Sequence, residues 1–64
     1  MIAEVHAGEV YRMRRQHPCG GWEWEVTRTG ADIGIRCLTC GRQAMLERRR
    51  FESRAKALVR AADD

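Results

Sequence analysis

Two short stretches constrain this chain more than anything else in it: His17-Pro18-Cys19, and Cys37-Leu38-Thr39-Cys40-Gly41, with residues 20–36 between them. A chain of 64 residues removes only about 60% of its unfolded surface from water when it folds, so a hydrophobic core alone is marginal and a staple is expected. Structural zinc takes four tetrahedral nitrogen or sulfur ligands, commonly as two close pairs from two separate turns. The second stretch has the C-x-x-C-G form of a zinc knuckle, in which glycine lets backbone N–H groups approach the sulfurs. In the first, only one residue separates the two candidates. Pro18 disfavours helix at His17 and keeps the segment extended, and in an extended segment residues i and i+2 project to the same side. His17, Cys19, Cys37 and Cys40 are therefore the expected ligands of one Zn2+.

Other assignments stay open at this stage. Cys37 and Cys40 can be a redox pair, although that motif favours a βαβ setting that the chain lacks. His6 can replace His17 as fourth ligand, or the cysteines can be ordinary buried residues. Four protein ligands close the coordination shell, whereas catalytic zinc keeps a position for water, so the expected role is scaffolding. In zinc-finger peptides such a metal contributes about 10–16 kcal/mol, enough to decide whether a small chain folds.

Three cysteines fit poorly with a secreted disulfide framework. Glu4, His6 and Glu9 interrupt what would have to be the apolar region of a signal peptide, and no apolar run approaches the roughly 18 residues of a membrane span. The chain is expected to be cytoplasmic.

Hydrophobic periodicity supplies the elements. Glu9 to Arg15 reads as a strand after a turn at Gly8, and Pro18, Gly20 and Gly21 make a rigid turn. Residues 22–28 alternate strictly, with Trp22, Trp24 and Val26 on one face and Glu23, Glu25 and Thr27 on the other. The turn signal at 29–32 leads into a second alternating run that places Ile33, Ile35 and Cys37 together. The resulting hairpin, 22–37, returns Cys37 toward Cys19. A short strand over Arg42 to Leu46 precedes a predicted helix over about 48–62. At about 100° per residue, Phe51, Ala55, Leu58 and Ala62 form its apolar stripe, and Arg49, Ser53, Lys56 and Arg60 its opposite side. The large apolar side chains, from Ile2 and Val5 through Trp24 and Ile35 to Phe51 and Leu58, suffice for one small core. The expected architecture is a single α+β domain over 1–64: a small antiparallel half-barrel, SH3-like or zinc-ribbon-like, with one structural zinc and a C-terminal helix.

Gly8-Glu9-Val10, His17-Pro-Cys-Gly20, Trp24-Glu25, Arg28, Gly30-Ala-Asp32, Cys37-Leu-Thr-Cys-Gly41, Met45-Leu46 and Arg48-Arg-Arg-Phe-Glu52 resemble bacterial domain-of-unknown-function family 951. The likeness covers roughly residues 5 to 58. Glu47 stands where the family pattern has a proline, and Glu9 where aspartate is more usual; neither is a candidate ligand. The resemblance implies a short cytosolic protein and, because some members are encoded near a ribosome-associated GTPase of the Obg-like class, a link to translation. It implies no activity.

The formal net charge is +3, and the 12 Lys and Arg comprise eleven Arg and a single Lys, Lys56. Residues 42–60 hold seven cations against two anions, Glu47 and Glu52. Arginine binds phosphate through bidentate, charge-assisted contacts. Arg12, Arg14 and Arg15 before the metal turn, with Arg42, Arg49, Arg50, Lys56 and Arg60 in the C-terminal half, are therefore the candidate nucleic-acid contacts. A solvated charged surface explains the same residues without a ligand. The expected function is a structural-zinc module that contacts RNA, associated with the ribosome or translation. Single-stranded DNA, or a protein–protein adaptor docking through the Trp22, Glu23 and Glu25 edge or the helix, is the alternative. No catalytic constellation or phosphate loop stands out, so neither an enzyme nor a small-molecule substrate is expected.

Overall fold

The computed structural model describes residues 4–62; Ile2, a sequence candidate for the core, lies outside them. Four strands follow one another as β1 (Val10–Met13), β2 (Glu23–Arg28), β3 (Asp32–Cys37) and β4 (Gln43–Glu47). A short helix, α1 (Arg48–Arg54), leads into β5 (Ala55–Arg60). They form one antiparallel sheet of order β4-β3-β2-β1-β5.

The alternating runs became the central hairpin. Trp24 pairs with Cys37 and Val26 with Ile35, and on the other side Tyr11 pairs with Trp24. Because side chains alternate along a strand, Trp24, Val26, Ile33, Ile35 and Cys37 reach one core with Tyr11, Met13 and Phe51. Trp22 does not join them: it precedes β2, is half-buried, and lies under the Arg12 guanidinium, 4.7 Å from the ring centroid.

The predicted helix over 48–62 is corrected. It ends at Arg54, and the next six residues form a strand against β1, with Tyr11 opposite Leu58 and Met13 opposite Ala55. Two long-range contacts explain the stop. The backbone N–H of Arg14 donates to the Arg54 carbonyl (2.9 Å) and its Nε donates to the Ser53 carbonyl (3.1 Å). The carbonyls at a helix end need partners, and here Arg14 supplies them from across the fold. Continuing as helix would also leave the outer edge of β1 without a ladder. Phe51 and Ala55 are buried as the stripe required, but Leu58 is 49% exposed, and Arg49 and Ser53 share no helix face with Lys56 and Arg60.

Around β1 the N-terminal segment is held by a small polar clasp. Glu9 Oε1 accepts from the His6 backbone N–H (2.8 Å) and from the buried Tyr11 hydroxyl (2.9 Å). Burial alone would raise the Glu9 carboxyl, but these donors and the His6 ring hold it below the usual value. Burial, and then the hydrogen bond to Glu9 and its charge, push Tyr11 up to about 12 from 10.0. The folded state thus favours the neutral phenol. Its contribution is fully present below the ordinary phenol value and is lost as pH rises from there through the folded one. In an alkaline titration the single tyrosine should form phenolate near pH 12 while folded and near 10.0 when unfolded in urea. Coincident midpoints would refute the clasp.

Candidate metal centre

The first ligand turn is built by local backbone bonds. His17 N–H donates to the Gly21 carbonyl and Gly20 N–H to the His17 carbonyl, both at 2.8 Å, while Gln16 Nε2 donates to the Gly20 carbonyl, also at 2.8 Å. Gly20 sits at φ +96, a left-handed conformation that glycine adopts without penalty. The second turn follows β3: Gly41, at φ +82, donates its N–H to the Cys37 carbonyl (2.8 Å), and Cys37 N–H donates to the Arg42 carbonyl (2.8 Å).

The sheet brings the turns together. Ligand atoms of His17, Cys19, Cys37 and Cys40 all lie within 4.8 Å of one another. His17 Nδ1 is 3.0 Å from Cys19 Sγ and 3.7 Å from Cys40 Sγ, and Cys19 Sγ is 3.6 Å from Cys37 Sγ. The three cysteines are free thiols rather than a disulfide. This group can hold a metal ion, and the four residues are those the spacing pointed to. His6 is elsewhere, beside Glu9.

Burial differs across the cluster: Cys37 is 1% exposed and part of the core, whereas Cys19 and Cys40 face solvent. Desolvation raises the Cys37 thiol, but the backbone N–H groups of Cys40 and Thr39 and the neighbouring thiols outweigh it and leave Cys37 below its usual value. Those N–H groups are what a knuckle provides. At Cys19 the Gly21 N–H favours thiolate, yet desolvation together with Cys40 and Cys37 leaves that thiol raised. Three thiols this close cannot all ionise cheaply without a cation between them.

Gly21 is a site residue that sequence reasoning treated only as part of a turn. A Cβ there would lie 2.5 Å from Thr39 Oγ1 and 3.2 Å from Cys37 Sγ, so the two ligand turns approach this closely only because position 21 has no side chain. The His17 ring meets Trp24 edge-on, with centroids 5.1 Å apart, which seats the histidine on the core.

The arginine candidates are divided by the fold. Arg14, Arg15 and Arg42 border a cleft of about 580 Å3 beside the metal turn, and Arg54 joins them there. Arg12 is instead stacked on Trp22. Arg49 and Arg50 lie on α1 and Lys56 and Arg60 on β5, all exposed. On the opposite side of β2, Glu25 is engaged by Arg36 at 2.7 Å.

Fold and site together define a small antiparallel β domain with one short helix and a histidine–cysteine cluster able to hold a metal ion. The chain belongs to the family described as "Bacterial protein of unknown function (DUF951)", whose pattern matches residues 5–59. It is similar to the "Uncharacterized protein YyzM" of Bacillus subtilis (strain 168), 37% identical over 51 residues, covering 80% of this chain and 75% of that protein. No solved structure matches it significantly. Among the described residues no helix is long and apolar enough to cross a membrane.

Proposed function

We propose that this chain is a zinc-stapled RNA-binding module of the cytoplasm, associated with the ribosome or translation. Zinc is favoured by the donor set. Three thiolates and an imidazole suit it, and tetrahedral Zn–S bonds of about 2.3 Å place sulfurs about 3.8 Å apart, close to the 3.6 Å between Cys19 and Cys37. With no ligand position left for water, the metal scaffolds the turns. A half-barrel of SH3-like type accounts for the sheet order and for the short helix that carries the chain from β4 across to β5.

The observation that carries the RNA reading is the charge of residues 42–60, where seven cations face two anions and all the cations lie at exposed positions. Phosphate binding by such a surface releases counterions. Affinity for a single-stranded oligoribonucleotide should therefore fall log-linearly with salt, with a slope of about −0.7 per phosphate neutralised. A flat salt response, or no binding at low salt, would remove the RNA reading.

The adaptor alternative moves to another surface: β2 is paired on both sides, with β1 and β3, so Trp22, Glu23 and Glu25 form no sheet edge, whereas β5 does form one and exposes Leu58 and Val59, each at 49%. A flat salt response would favour it.

A further inference from the structure

The cleft beside the metal turn differs from the rest of the charged surface. Its floor is apolar, formed by Trp24, Ile35 and Leu46, and its rim carries Arg15, Arg42 and Arg54. Among the described residues, no aspartate or glutamate lines it. A solvated charged face intersperses both signs; this one does not. The volume, about 580 Å3, lies within the range of about 300–1,000 Å3 typical of ligand pockets.

We infer that this cleft receives one unpaired nucleotide of a single-stranded RNA, with the base over the Trp24, Ile35 and Leu46 floor and the flanking phosphates on Arg15, Arg42 and Arg54. The inference rests on the RNA reading above and narrows it from a charged surface to one built site. The chemistry follows from the two linings. An apolar floor accepts the flat face of any base, whereas a base stacked in a duplex cannot enter a recess; single strands expose theirs. The guanidinium groups at the rim offer bidentate contacts to phosphate oxygens. Arg14 also borders the cleft, but its Nε is committed to the Ser53 carbonyl. Its role is to hold the end of α1, and with it Arg54, at the rim. His17 and Pro18 also line the cleft.

Three arms test this by fluorescence anisotropy on the full, metal-replete chain, using a labelled oligoribonucleotide of about ten nucleotides, within the span of small single-strand binders. First, Arg42→Glu with Arg54→Glu should weaken binding at least about tenfold more than the equally charge-reversing pair Arg49→Glu with Lys56→Glu outside the cleft. Circular dichroism and metal content would verify that both pairs fold. Second, using unaltered protein, an abasic oligomer of the same length should bind at least about fivefold more weakly, because the base contact is lost. Third, the same sequence as a duplex should bind more weakly than the single strand. Equal losses from the two arginine pairs, or an abasic oligomer or duplex that binds as tightly as the intact single strand, would overturn the cleft while leaving RNA binding by the wider surface intact. No binding of any of these oligomers at low salt would overturn both.

Discussion

Chelation should unfold this protein, and adding Zn2+ back should refold it. At about 0.05–0.15 kcal/mol per residue, a domain of 64 residues has a total stability of only about 3–10 kcal/mol. A structural zinc contributes about 10–16 kcal/mol in zinc-finger peptides. The metal term is therefore at least as large as the whole net stability expected of a domain this size. Elemental analysis should give one zinc per chain, and circular dichroism should lose its β signature when a strong chelator is added. The position of each ligand decides what its removal does. Cys37 is in the core, pairs with Trp24 and carries the knuckle N–H contacts, so Cys37→Ser should abolish folding even with excess metal. Exposed Cys40→Ser should instead leave a folded chain that holds metal more weakly. A metal-free preparation that keeps its fold and melts cooperatively would show that the four side chains are not a structural site.

The second large effect belongs to Phe51. It is the only buried residue of α1, is 0% exposed, and meets Tyr11 edge-on with centroids 5.2 Å apart. Truncating a buried phenylalanine to alanine costs about 3–5 kcal/mol through lost transfer energy and the cavity left behind. In a domain this small each kcal/mol moves the melting temperature by about 4–8 °C. Phe51→Ala should therefore lower the Tm of the metal-loaded protein by roughly 15 °C or more. Leu58→Ala provides the contrast. Leu58 lies seven positions further along the predicted stripe and would be buried with Phe51 if the helix continued. On β5 it is half-exposed, and its truncation should cost less than about 1 kcal/mol. Comparable losses at the two positions would contradict β5 and restore the longer helix.

The contrast marks where local sequence stops being informative. Residues 55–60, Ala-Lys-Ala-Leu-Val-Arg, consist mostly of good helix formers, and their apolar spacing continued a helical stripe. They are nonetheless a strand, because β1 offers an unpaired edge and Arg14 takes up the carbonyls that end the helix. Both partners are distant in the sequence, so neither propensity nor periodicity registers them. The same holds for the cleft: Arg15, Arg42 and Arg54 come from three different segments, and only the assembled fold brings them to one cleft. Arg49, Lys56 and Arg60, aligned along the expected helix, do not form a single face.

What the sequence determined by itself was local or strictly periodic. Proline-fixed extension at His17-Pro-Cys19 and the C-x-x-C-G spacing at Cys37 to Gly41 picked out the four side chains that gather into one group able to hold a metal ion. Strict alternation over 22–28 and 33–37 fixed the hairpin that brings Cys37 to Cys19, because a one-residue slip would turn every side chain to the wrong face. The fate of residues 55–60, the close approach of Gly21 to Thr39 and Cys37, and the grouping of the arginines emerged with the folded chain. Each depends on a contact between segments far apart in the chain, whose free energy appears only once the fold has brought them together.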